Sequence, residues 1–249
     1  MKDIKGIPPH DAYPCSCGRS PTGRCCGWHS LTEEEYLDKA HPHTLNYHHL
    51  TALGDYYPTS YKLLETEESV DTTEEKFEYV RYNPRTNIDR WGLSLTSLDG
   101  GVTGIPDLDS IKQYNTEHGT TYIEDDFNVP TPAYHYFKPV LNLFKPWLFR
   151  THILKLNPGG YFPPHRDAIT LKSFRLIIAL KNTKSPAVQF LIEDRVLHFE
   201  EGRLYFVDTV KEHQLFNSSN DPSYWLVMNV KVTKEAVATL LNLIQKEYK

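Results

Sequence analysis

Cysteine occurs only four times in this chain of 249 residues, and all four lie between positions 15 and 26. So tight a cluster is poorly placed to cross-link a fold of this size, and in a reducing compartment it more often means metal ligation than a disulfide, with free or redox thiols as the alternative. No run approaches eighteen consecutive apolar residues, so no membrane-spanning segment is indicated. The start, MKDIKGIPPHD, lacks the apolar core of a signal peptide, and both absences favour a cytoplasmic protein. Positive charge is not in excess either: 27 Lys and Arg face 32 Asp and Glu, for a net charge of −5. A protein that works by neutralising phosphates along a nucleic acid is thereby disfavoured, and a small-molecule, amino-acid or peptide partner fits better. There is no internal repeat and no low-complexity segment.

What is present is material for a core. Hydrophobic residues make up 39% and aromatics 12%, enough for one main domain with extensions. The first thirty residues read as loop, and Thr32 with Glu35 has the spacing of a capping box opening a short helix. Residues 41–79, rich in His, Tyr, Thr and acids, show no sustained period and are expected to be a loop-rich connector. WGLSLTSLDGG at 91–101 reads as a strand closed by a glycine turn. Helices are expected within 108–119 and 131–144, the latter interrupted or ended near Pro146.

Beyond Trp147 the pattern changes to short strand-like segments separated by turn signals: FRTHILKL, SFRLIIAL, AVQFLIE, RVLHF, RLYFVDT, HQLF and SYWLVMNVKV. Such spacing predicts a sandwich or barrel. Apolar residues at 236, 237, 240, 241 and 244 then form one stripe of a closing helix. The expected divisions are 1–30, a cysteine-rich segment; 31–144, helices and loops flanking a barrel; 145–233, the barrel; and 234–249, the terminal helix.

The chemistry starts in PGGYFPPHRD, residues 158–167. Residues two apart on an extended segment point the same way, so His165 and Asp167 could face one ion. Two histidines and one carboxylate on one face of an octahedron, with the opposite positions open, is the ligand set of non-haem Fe(II) oxygenases, so a third ligand is required. The chain has twelve histidines, and an H-x-acid pair arises readily by chance. His198-Phe-Glu200 is one such pair and reads as part of a hairpin turn. The setting of His165 is more telling, since LNPGG precedes it, a strand carrying Arg175 follows, and His213 comes after RLYFVDTVKE.

LNPGGYFPPH, RLIIAL, EEGRLYFVDTVKEHQLFN and WLVMNV, taken together, resemble the aspartyl/asparaginyl β-hydroxylase-like branch of the Fe(II)- and 2-oxoglutarate-dependent oxygenases, which also contains bacterial free-proline hydroxylases. The resemblance spans roughly residues 145–233. It implies a mainly β fold with flanking helices and a double-stranded β-helix core, also called a jelly roll or cupin-like barrel. It further implies that His165, Asp167 and His213 bind Fe(II), and that 2-oxoglutarate, chelated there, decarboxylates to succinate and CO2 while an aliphatic C–H is hydroxylated.

The far carboxylate of the cosubstrate would need a cation, and arginine meets a carboxylate with two charge-assisted bonds. Arg175 shares a strand face with Ile177 and Ala179, and a charge on such a face should point into a cavity. Family members usually carry a second arginine in the last core strand. Trp225 falls near that position here, which leaves Arg150 and His152, on one face with Leu154, as candidate helpers. Asp167 matches the proline hydroxylases rather than the prototypes that lack this carboxylate, and its presence disfavours a halogenase. The rival reading is a non-catalytic cupin-like binding protein with an N-terminal docking module.

CSCGRSPTGRCCGWH, residues 15–29, offers Cys15, Cys17, Cys25 and Cys26 as two close pairs around a glycine-containing loop, able to wrap one tetrahedral zinc ion. The stretch resembles the SEC-C zinc motif with a slightly shorter loop, and His29 is an alternative fourth ligand. A closed four-ligand site implies stapling or protein contact rather than catalysis.

Overall fold

In the computed structural model, residues 27–40, 42–81, 88–167 and 171–245 are described, together with Pro14, Ser16, Cys17 and Arg19. Cys15, Cys25 and Cys26 lie outside the described residues; Cys17 is exposed, and His29 sits in a short 3-10 helix, Trp28–Ser30. No helix among the described residues is long and apolar enough to cross a membrane.

Strands β1 (Tyr56–Lys62), β2 (Val80–Arg81), β3 (Arg90–Ser94), β4 (Thr96–Ser97) and β5 (Val129–Pro130) precede the region of dense alternation. That region supplies β6 (Leu148–Leu156), β7 (Tyr161–His165), β8 (Ser173–Lys181), β9 (Val188–Ile192), β10 (Arg195–Leu197), β11 (Arg203–Val207), β12 (His213–Asn217) and β13 (Ser223–Lys231). They form a seven-stranded sheet, β1-β11-β8-β13-β6-β3-β2, and a four-stranded sheet, β10-β9-β12-β7, with β4 and β5 as a separate pair. Two facing antiparallel sheets with strands that alternate between them make a jelly roll, as the resemblance implies, and a sandwich of the kind that the strand spacing predicts.

The period of two places each side chain. On β8, Ile177 and Ala179 face inward and pack with Leu154, Leu156 and Trp225 against Val188, Phe190, Ile192, Leu197 and Leu215 of the smaller sheet. Phe174, Leu176, Ile178 and Leu180 face outward under a helical cover, in one cluster with Val140, Leu141 and Phe144 of helix Lys138–Phe144 and Ala236, Val237 and Leu240 of helix Lys234–Gln245. β8 is therefore apolar on both faces, which the sequence SFRLIIAL shows directly apart from its one arginine.

Residues 41–79 differ from the connector expected of them. They form helix Pro42–Thr51, strand β1 and helix Thr66–Lys76. β1 carries Pro58 and no clean alternation, but it pairs antiparallel with β11, Tyr56 opposite Val207, so a partner distant in sequence decides its state. The capping box forms: Glu35 N–H donates to Thr32 Oγ1 at 3.2 Å and Thr32 N–H to Glu35 Oε2 at 2.8 Å, opening helix Glu33–Ala40.

β7 is the edge strand that delivers His165, and two irregularities shape it. Against β12, His213 pairs with His165 but Leu215 pairs with Phe162, so β7 carries one extra residue at Pro163-Pro164. A bulge on an edge is where missing N–H groups cost no ladder bonds, which accounts for both prolines. The turn before it is held at Gly160, where a Cβ would stand 2.3 Å from Asp89 O and 2.8 Å from Asn157 O, both backbone. Gly160→Ala is therefore expected to destabilise the protein by about 2–4 kcal/mol, read from urea unfolding, whereas a change under about 0.5 kcal/mol would mean that the turn relaxes freely.

Candidate active site

A cavity opens between the two sheets. Phe162, His165, Asp167, Phe190, His213 and Leu215 line one side; His152, Leu154, Arg175, Ile177, Val227 and Asn229 line the other; Glu124, Arg150, Thr209 and Gln214 complete the wall. The smaller sheet thus supplies His165 and His213, the segment leaving β7 supplies Asp167, and the larger sheet supplies the cation.

His165 and His213 are opposite one another in the β7/β12 ladder, with ring centroids 4.2 Å apart. His165 Nδ1 lies 2.7 Å from Pro163 O and His213 Nδ1 lies 3.0 Å from Lys211 O. A carbonyl only accepts, so in each ring Nδ1 carries the proton and the Nε2 lone pair is left for a ligand. Asp167 Oδ1 is 3.7 Å from His165 Nε2, and its Oδ2 is 3.6 Å from His213 Nε2. Ligand atoms from these three residues lie within 4.8 Å of one another, and this trio is the metal-capable cluster found among the described residues.

Electrostatics suit a cation. Burial, followed by the neighbouring His213, lowers the His165 pKa and keeps the ring neutral. Burial alone would raise the Asp167 pKa, but Arg175, with the two histidines, more than offsets it and holds the carboxyl ionised well below the usual range. Two imidazoles and one carboxylate are a donor set that fits ferrous iron.

Arg175 Nε lies 3.3 Å from Asp167 Oδ2, an ion pair that strand alternation could not reveal. The residue is only 8% exposed, yet its Nη1 has no hydrogen-bond partner. The same holds for Thr209 Oγ1 and Asn229 Oδ1, so three buried polar atoms on the cavity wall await a ligand or water. Asn229 is the β-ladder partner of Arg175. It shares a face of SYWLVMNVKV with Trp225 and Val227, a signal present in the strand's alternation; Thr209, Phe162 and Glu124 had none.

Of the helpers expected for Arg175, His152 lines the cavity, and burial pushes its pKa down to about 3, so it presents a neutral ring. Arg150 lines it too, but its guanidinium is committed: Nε donates to Asp107 O at 2.8 Å, Nη1 pairs with Glu124 at 2.8 Å, and Nη2 reaches Asp109 O. The reason is a bulge, since Val227 pairs with His152 while Asn229 pairs with Phe149, and Arg150 takes a left-handed φ of 44°. Trp225 stands outside the lining. It is 1% exposed and packs against Phe190 and Phe199, at 5.9 and 5.2 Å between ring centroids, so it backs the wall instead of reaching a ligand. His198 and Glu200, the competing H-x-acid pair, are exposed, and Glu200 pairs with Lys62.

Residues 137–232 match the family described as aspartyl/asparaginyl beta-hydroxylase. Among solved structures, HygX from Streptomyces hygroscopicus, with nickel, 2-oxoglutarate and hygromycin B bound, is similar at 9% identity and a TM-score of 0.47, over 75% of this chain and 86% of that one. An oxidoreductase of the 2OG-Fe(II) oxygenase family from Burkholderia pseudomallei is similar at 12% identity and a TM-score of 0.43, over 77% and 90% of the two chains. No curated protein sequence matches the chain significantly.

Proposed function

We propose, from the match of residues 137–232 to the aspartyl/asparaginyl beta-hydroxylase family, that the protein is an Fe(II)- and 2-oxoglutarate-dependent oxygenase. It hydroxylates an aliphatic C–H of an amino acid, a peptide side chain or a small metabolite, releasing succinate and CO2. The observation that carries this reading is the convergence of His165 Nε2, His213 Nε2 and the Asp167 carboxylate in one cavity whose opposite wall offers the buried, unpartnered Nη1 of Arg175.

His165, Asp167 and His213 would hold the iron, which, when bound, supplies oxygen activation beside a chelated keto acid. The chain's own residues do the rest. Pro163 O and Lys211 O fix the two rings so that Nε2 presents a lone pair. Arg175 keeps Asp167 ionised and gives the cosubstrate carboxylate a charge-assisted donor, in a wall where such a bond is strong because water is scarce. Leu154, Ile177, Phe190, Leu215 and Val227 make the surrounding surface apolar and limit water around the reacting groups.

The test is anaerobic addition of Fe(II) and 2-oxoglutarate. The expected result is the weak visible charge-transfer band of a chelated keto acid, followed in air by succinate release that amino acids or peptides stimulate. No band and no stabilisation by 2-oxoglutarate would instead favour a non-catalytic cupin-like binding protein, a reading that the engaged Arg150 and the withdrawn Trp225 would then support.

A further inference from the structure

The residues that orient the candidate ligands extend beyond the cavity wall and beyond the family-matched segment. The tight turn after β11, residues 208–211, closes with Lys211 N–H donating to Asp208 O at 3.2 Å. Two of its carbonyls serve the site: Thr209 O accepts from Asp167 N–H at 2.7 Å, and Lys211 O lies 3.0 Å from His213 Nδ1. One short turn therefore sets the placement of two of the three candidate ligands.

What holds the turn comes from residues 47–55. Tyr47, on helix Pro42–Thr51, donates its hydroxyl to Asp208 Oδ1 at 2.7 Å. Asp208 N–H donates to Asp55 O at 2.8 Å, and Asp55 Oδ1 takes Lys211 Nζ at 2.6 Å. These contacts are not equal. The Lys211 side chain is 40% exposed, and a pair so open to solvent fixes little. Tyr47 and Asp208 are 2% and 6% exposed, so their bond joins a phenol and a carboxylate that have almost no access to water as a substitute.

We infer that Tyr47 and Asp208 are positioning residues for the candidate metal centre, with the helix at 42–51 acting through the 208–211 turn on Asp167 and His213. The inference rests on the metal-site reading given above. Without the Tyr47 hydroxyl, the buried Asp208 carboxylate must move to find another donor, and the turn carrying both carbonyls moves with it. Ligand geometry tolerates such displacement poorly, since outer partners that orient metal ligands are typically worth about 10- to 100-fold in metal affinity.

The measurement is Mn(II) binding to the full chain, followed by EPR and without turnover. Tyr47→Phe is expected to weaken binding about tenfold. Asp208→Asn, which keeps an acceptor for Tyr47, should bind close to the wild type. The control is Tyr79→Phe, which also loses a buried phenol contact, 3.0 Å from Thr73 Oγ1, but away from the cavity wall; its affinity should be unchanged. Should Tyr47→Phe fail to fold, Asp208→Ala, which also breaks the tie between the turn and the helix at 42–51, is read in the same way. Equal affinity in Tyr47→Phe and wild type, or equal weakening in Tyr79→Phe, overturns the positioning role alone. Absence of Mn(II) binding in the wild type overturns the metal site, and this role with it.

Discussion

Replacing His213 with alanine is expected to abolish 2-oxoglutarate turnover and to lower divalent metal affinity by more than about a hundredfold, beyond what losing an outer partner costs. The ring is buried, paired across the ladder with His165, and oriented by Lys211 O, so no other described side chain occupies its place. His165→Ala should behave in the same way. Metal titration with succinate release under air reads both effects; unchanged turnover in either variant would rule out this ligand assignment. His198→Ala is the matching control, since that histidine is exposed and outside the cavity wall, and it should retain full activity.

The second large effect is expected at Arg175. Its Nε faces Asp167 and its Nη1 is buried without a partner, so the side chain is a counter-charge and a donor at once. Arg175→Met should weaken 2-oxoglutarate binding about a hundredfold, near 3 kcal/mol, the scale for deleting one partner of a buried charge-assisted contact. It also removes what holds the Asp167 pKa down, so burial then raises it, and metal binding should be lost on acidification at a higher pH than in the wild type. Arg175→Lys separates the two roles: it keeps the charge beside Asp167 but loses the fork, and should restore metal binding more than cosubstrate binding. Calorimetric titration of 2-oxoglutarate into the Mn(II)-loaded protein decides between them, and affinity unchanged in Arg175→Met would remove this arginine from the cosubstrate site.

The resemblance raised the question of what replaces the second arginine of the last core strand. The structure offers no cation from Trp225, which is packed behind Phe190, and none to spare from Arg150, which is held by Glu124 and two backbone carbonyls. The polar atoms left on the wall beside Arg175 are neutral ones, Thr209 Oγ1 and Asn229 Oδ1. Of the two arginines that line the cavity, Arg150 is engaged elsewhere and Arg175 supplies the positive character, which is why the effect expected at Arg175 is so large.

Much of this was legible in the sequence, and where it was, the information is local. The two-residue period of SFRLIIAL assigns Phe174, Leu176 and Ile178 to the outer layer and Arg175 and Ile177 to the cavity, because successive side chains of a strand must alternate. The Thr32 to Glu35 spacing fixes a helix start, and the H-x-D pair after NPGG marks the two candidate ligands nearest each other in the chain. Other features are set by partners far away in sequence. Strand β1 exists because β11 accepts it, and the bulges at Pro163-Pro164 and Arg150 appear only when β12 and β13 impose their register. The same is true of Arg175 meeting Asp167 and of Tyr47 reaching Asp208, contacts between side chains on elements that tertiary packing alone brings together. Periodicity and turn chemistry belong to neighbouring residues and can be read along the chain, whereas register, bulges and buried ion pairs belong to pairs of segments and are decided when the sheets close on one another.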